Sequence, residues 1–151
     1  FIFAGEPTTV GNFYARRLAD LTWKTTVAAM KLPGLESWRR PQEELDENSR
    51  AAALEWIVDL HTFDPADLER MATNAGAVEV ATASEEFTAA MLGWPVRTFE
   101  STVPPGKLGF KWAKFAFGGW TTLSWFDANV WRRVVPKGWF YNVMITGVKP
   151  S

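Results

Sequence analysis

The period of the hydrophobic pattern changes repeatedly along the chain. Residues 1–4, Phe-Ile-Phe-Ala, form an unbroken apolar run that suits a strand buried on both faces inside a parallel sheet. Gly5-Glu6-Pro7-Thr8-Thr9 opens a loop, because Pro7 has no N–H for a ladder and Gly5 permits unusual backbone angles. From Asn12 to Lys31 the spacing lengthens to three and four. Phe13, Leu18, Leu21, Val27 and Met30 are apolar, with Arg16, Arg17, Asp20 and Lys24 between them, which predicts a helix that Leu32-Pro33-Gly34 stops. Glu36 to Asn48 is polar and reads as a loop with one helical turn. Ser49 to His61 regains a helical stripe in Ala52, Ala53, Trp56, Ile57 and Leu60.

The second half begins on a helix-start signal, Asp64-Pro65. Asp64 can accept from free N–H groups, and Pro65 at the first helical position loses nothing by lacking one. Leu68, Met71, Ala72 and Ala75 form the stripe of this helix, and Gly76 ends it in the left-handed conformation. Val78 to Ala83 alternates and predicts a short strand. Ser84-Glu85-Glu86 starts a short helix through Leu92, which Gly93-Trp94-Pro95 stops. Thr102 to Gly109 is a Pro- and Gly-rich loop. Phe110 to Phe117 and Leu123 to Val135 read as two helices divided by Gly118-Gly119. Phe140 to Val148 alternates β-branched and aromatic residues and predicts a final strand, with a bulge at Gly147.

Composition sharpens this picture in three places. The 151 residues are 47% hydrophobic, enough for one domain with its own core. Lys plus Arg is 16 and Asp plus Glu is 17, so no broad basic face exists to favour nucleic acid. With no Cys there is no disulfide, zinc cluster or thiol nucleophile. This fits the reducing cytoplasm, although a chain without a visible N-terminal Met leaves an export signal undecided. No apolar run approaches the roughly 18 residues of a membrane span. Nine Trp is a heavy load, and five of the nine lie between Trp112 and Trp139. A large aromatic core is the first reading of that density; an aromatic-lined pocket or a subunit interface is the second.

The skeleton is thus strand, long helical stretch, strand, helical stretch, strand, an α/β pattern. "FIFAGEP", "DPADLERMATNAGAVEVATA" and "GWFYNVMITGVKP" resemble strand five, the last helix with strand six, and strand seven of class I S-adenosylmethionine-dependent methyltransferases. The resemblance implies the C-terminal part of a Rossmann-like sheet, with an antiparallel strand seven slotted between strands five and six. Sheet core then falls at 1–10, 64–83 and 139–149, and helical insertions at 11–63 and 84–138. "GEPTT", "GWPVRTFE" and "VPKGWFYNV" are similar to an actinobacterial subgroup that includes mycobacterial histone-lysine methyltransferases, which adds a protein lysine as a possible methyl acceptor. The Gly-rich loop and acidic ribose ligand that hold S-adenosylmethionine in this family have no counterpart here. They are expected upstream of Phe1, along with the neighbouring strands that residues 1–4 need, so this chain alone is expected to be inactive.

On that resemblance Glu6, Thr8 and Asn12 stand where substrate-side residues of the fold lie. Glu6 can orient an amine or accept its proton, against a turn-capping or ion-pairing role with Arg16 or Arg17. Thr8, Thr9 and Asn12 can hydrogen-bond a substrate or cap the helix, and capping is the better reading. A lone His61 reads as a helix-end residue rather than a base, and no metal site is expected. The acidic run Glu43-Glu44-Leu45-Asp46-Glu47 is a solvated face, or a loop that steers a basic substrate. Lys107, Lys111, Lys114, Arg132 and Arg133 are interleaved with aromatics at helical spacing, so core or interface is the better reading than single-stranded nucleic acid. Two functions follow: methyl transfer, with a homodimer formed through Trp112 to Trp139, or a non-catalytic aromatic interaction module.

Overall fold

A computed structural model describes residues 2–41 and 61–150, with the backbone alone for residues 2–6. The chain is mixed α/β. In order it forms β1 (Ile2–Pro7), α1 (Thr9–Ala29), α2 (Pro65–Asn74), β2 (Val78–Glu85), α3 (Thr88–Thr102), α4 (Phe110–Asn129) and β3 (Asn142–Val148), with short 3-10 turns at Glu36–Trp38, Trp131–Arg133 and Lys137–Trp139. The predicted helix over 49–61 and the acidic run at 43–47 lie outside the described residues, apart from His61.

The three strands form one sheet in the order β1-β3-β2. β3 runs antiparallel to both neighbours, so β1 and β2 are parallel to each other. Among the described residues β1 has no second partner strand. At its end only a short parallel bridge joins Thr8 to Phe63, where the Phe63 N–H donates to the Pro7 carbonyl at 3.0 Å. The expectation of a strand ending at Ala4 is corrected: β1 continues to Pro7. Gly5 is the extra residue of a bulge between the pairs Ala4–Met144 and Glu6–Val143. Pro7 fits because it is the terminal residue, where a missing donor costs little. A second bulge lies between Val78 and Ala81 of β2, where Glu79 has a φ of 51°. The extra residue is therefore in β2, and Gly147 stands opposite it on the unbulged strand.

α2 covers one face of the sheet. Leu68 packs on Val143 and Ile145, flanked by Phe63, Ala72 and Val80. Asp64 accepts from the Ala66 N–H at 2.9 Å, Pro65 occupies the first turn, and Gly76 has a φ of 86° just past the helix end, as the sequence predicts. Met71 and Ala75 of the predicted stripe are exposed, because the contact is made by the single row Leu68–Ala72.

The other helices pack on each other. The buried face of α1 is Gly11, Ala15 and Ala19, not the predicted row containing Phe13 and Leu21, both of which are exposed. Small residues four apart let α1 approach α3 closely, where Ala89 and Ala90 are buried opposite. Gly11 is the tightest point. A Cβ there would stand 2.6 Å from the Phe140 carbonyl oxygen and 2.6 Å from the Tyr141 Cα. Met30, Val103 and Phe140 complete this second core.

Two helix boundaries differ from the sequence reading. α3 begins at Thr88 and passes through Gly93 and Pro95 to Thr102. Pro95 removes one helical donor and costs about 3 kcal/mol in an exposed helix, but here α1 and α4 hold α3 from two sides. α4 runs uninterrupted through Gly118-Gly119. Its inward row is Trp112, Ala116, Gly119, Leu123 and Asp127, at helical spacing, and Gly119 lies against Leu92 of α3.

That row leaves most aromatics of α4 outside, which corrects the reading of a large aromatic core. Phe110 is 82% exposed, Phe117 69% and Trp125 59%, and Phe115 and Trp139 are also exposed. The helix is apolar all round but has only one face to bury within the described residues.

Candidate functional site

The parallel strands β1 and β2 both point their carboxyl ends at one side of the molecule, where open α/β sheets gather ligands. Glu86, the residue after β2, is the centre of that side. Its φ is +63°, a left-handed conformation that a residue with a Cβ adopts at a cost of about 1 kcal/mol or more. Three neighbours hold it there. The Tyr141 N–H donates to its carbonyl at 2.8 Å, the Tyr14 hydroxyl donates to the same oxygen at 3.5 Å, and Asn142 Nδ2 donates to its carboxylate at 2.9 Å. Partial burial pushes the Glu86 carboxyl above its ordinary value, and the negative charges of Glu85 and Asp127 add to this; hydrogen bonds from Trp120 and Asn142 oppose it in part. Burial likewise raises the hydroxyls of Tyr14 and Tyr141, which keeps both as protonated donors at neutral pH.

Two cavities meet at Glu86 and Trp120. The larger, about 320 Å³, lies between α3 and α4 and is bounded by Glu86, Trp94, Arg97, Glu100, Trp120 and Tyr141. Trp94 and Tyr141 sit with ring centroids 5.5 Å apart at 60°, and the Arg97 guanidinium lies 5.6 Å from the Trp94 ring centroid. Glu100 is anchored by the Trp112 indole N–H at 2.7 Å. The smaller cavity, about 230 Å³, is bounded by Ser84, Glu86, Trp120, Ser124, Asp127 and Arg132. Ser84 and Ser124, which line it, have hydroxyls buried without a hydrogen-bond partner.

Asp127 fixes the geometry of both. It is 2% exposed and caps α3 from a different helix. One carboxylate oxygen accepts from the Thr88 N–H and hydroxyl, the other from the Phe87 and Ala89 N–H groups, at 2.6–2.9 Å. α3 has no capping side chain of its own, so this remote carboxylate satisfies its free donors.

Of the sequence-predicted site residues, neither Thr8 nor Asn12 lines either cavity. Thr8 is buried and caps α1, accepting from the Gly11 N–H at 2.9 Å while its hydroxyl donates to the Phe140 carbonyl. Asn12 is half-buried on the first turn of α1. For Glu6 the structure describes the backbone, paired with Val143. His61 is exposed and stacks on Phe63 with centroids 6.3 Å apart. Lys107, Lys111, Lys114, Arg132 and Arg133 are exposed; Lys107 lies over Trp38, and Arg132 faces Glu85 at 3.6 Å. Among the described residues no group of His, Cys, Asp and Glu is arranged to hold a metal, and no helix is long and apolar enough to cross a membrane.

Sequence reasoning treated Glu86 as part of a helix start and gave Asp127 no role. Nothing local marks Glu86, since its environment is made by Tyr14, Asn142 and Trp120, all remote in sequence. No family model, curated protein or solved structure matches this chain.

Proposed function

We propose that this chain is the strand-five-to-seven portion of a class I S-adenosylmethionine-dependent methyltransferase. One observation carries the reading: an antiparallel strand inserted between two mutually parallel strands, the first two in order among the described residues. The family that the sequence resembles has its antiparallel strand seven between strands five and six in the same order, and both cavities lie at the carboxyl end of β2, the side on which open α/β sheets gather ligands. The edge of β1 away from β3, which has no partner strand among the described residues beyond the bridge to Phe63, is the side on which further parallel strands would continue the sheet.

The described residues do not fit the cofactor itself. They contain no closely spaced glycines at a strand-to-helix turn, and Gly118-Gly119 lies inside α4. This chain's own contribution is therefore on the acceptor side. Glu86 is a partly desolvated carboxylate suited to receive a proton from a nucleophile, and Asn142 orients it; Glu6 and Asn12 lie toward the neighbouring strand end. A protein lysine is the acceptor that the sequence resemblance favours. Titration calorimetry of the natural full-length gene product with S-adenosylmethionine tests the reading. A one-to-one binding isotherm, absent from residues 1–151 alone, supports it. No binding by the full-length product, or tight binding by residues 1–151 alone, overturns it.

The outer face of α4 favours a second reading, an interaction module that pairs with a second copy of itself. Phe110, Phe117 and Trp125 are large, exposed apolar side chains with no partner helix among the described residues, and a near-neutral chain does not resist self-association. Sedimentation as a dimer that Trp125→Lys dissociates supports this; a monomer at every concentration refutes it.

A further inference from the structure

The 320 Å³ cavity between α3 and α4 has an unusual wall chemistry. Three of its residues present aromatic rings, Trp94, Trp120 and Tyr141. Two are carboxylates, Glu86 and Glu100, against one guanidinium, Arg97, so the cavity carries one net negative charge. Aromatic faces attract cations through their ring quadrupoles, most strongly when the cation is withdrawn from water. They also suit the apolar substituents of an alkylated ammonium, which a bare carboxylate site does not. The cavity wall already makes this contact: the Arg97 guanidinium lies 5.6 Å from the Trp94 ring centroid. The walls are held firmly. Glu100 is tied to Trp112, Glu86 to Asn142 and Tyr141, and α3 to α4 through Asp127.

We propose that this cavity binds an N-alkylated ammonium cation, with the aromatic rings of Trp94, Trp120 and Tyr141 around the alkyl groups and Glu86 as counter-ion. Arg97 is the internal cation that the ligand displaces from Trp94. An anion site would use the same residues in the opposite sense, with Arg97 as its anchor, so Arg97 decides between the two. The inference rests on the cavity and stands apart from the methyl-transfer reading, because it requires no cofactor.

The test titrates the protein with choline, following tryptophan fluorescence, in parallel with 3,3-dimethyl-1-butanol, the neutral isostere with carbon in place of nitrogen. Choline is expected to saturate the signal and to bind at least about tenfold more tightly than the isostere, the scale of one desolvated cation–π contact. Arg97→Gln is expected to tighten choline binding severalfold, and Glu86→Gln to weaken it about tenfold. Trp94→Leu is expected to weaken it comparably, with far-ultraviolet circular dichroism and urea melts verifying that each variant is folded. Equal binding of choline and the isostere overturns the proposal, as does no saturable binding of choline. Weakened choline binding in folded Arg97→Gln overturns it too. Choline binding in a protein that does not bind S-adenosylmethionine leaves this inference standing and removes only the methyl-transfer reading.

Discussion

Asp127→Asn isolates the contact that joins α4 to α3. The carboxylate accepts four hydrogen bonds, two on each oxygen. Asparagine keeps one oxygen and turns an NH2 group toward the two remaining donors. Two charge-assisted bonds are lost, each worth about 1.5 kcal/mol or more, and two N–H or O–H groups face another donor in a buried setting. The negative charge at the first turn of α3 also disappears, a further 0.3–1 kcal/mol or so. The expected loss is about 3–4 kcal/mol, a large share of the roughly 5–15 kcal/mol that holds a domain together. Urea melts followed by tryptophan fluorescence read it directly, as a lower midpoint at constant slope. In thermal melts the midpoint should fall by about 6–16 °C. The exposed Lys24–Asp20 pair, 2.7 Å apart on one face of α1, is the internal control: Asp20→Asn should cost under about 0.5 kcal/mol. A loss below about 1 kcal/mol in Asp127→Asn would refute the assignment of this carboxylate as the cap of α3.

Glu86→Gln tests the desolvated carboxyl by pH. Its folded value is raised above the ordinary 4.5, so the folded state holds the proton to higher pH than the unfolded chain does. Stability from this group is therefore highest below about pH 4 and declines as pH climbs through the raised folded value. The glutamine variant should be more stable than the parent at neutral pH and equal to it in acid; urea midpoints showing the reverse order at neutral pH would sink the account. Gly11→Ala should be severely destabilising, by more than about 3 kcal/mol, because its Cβ meets the Phe140 and Tyr141 backbone, which cannot swing aside. Gly119→Ala meets only the tip of Leu92 and should cost under about 1 kcal/mol in the same melts. Gly118→Ala, with open space around it in mid-helix, should raise the midpoint by about 0.5–1 kcal/mol of stability.

The elements with local signatures were legible in advance. Asp64-Pro65 and Gly76 bracket α2 as their chemistry requires, and the alternation of "YNVMITGV" marks β3. The failures were contextual. Pro95 and Gly118-Gly119 are helix breakers by propensity, yet Pro95 lies inside a helix held by α1 and α4, and Gly118-Gly119 inside one that packs on α3 along one face. The buried face of α1 was missed because Gly11, Ala15 and Ala19 have little hydrophobicity to display; they pack through closeness, not size. Aromatic density on α4 was taken first for a core, but a stripe and its opposite face look alike when both are apolar. Glu86 and Asp127 carry the candidate site only through hydrogen-bond partners 34 or more positions away, which no window on the sequence contains.

α4 has one further consequence. The carboxylate that ties it to the neighbouring helix and the indole that divides the two hollows, Asp127 and Trp120, are two turns apart on one rod. Stepping that rod by a single residue would swing both through about 100° together. Its aromatic outer rail therefore cannot be gripped and twisted without breaking the tie, so whatever docks there finds the rotation already set, and the shape of the interior with it.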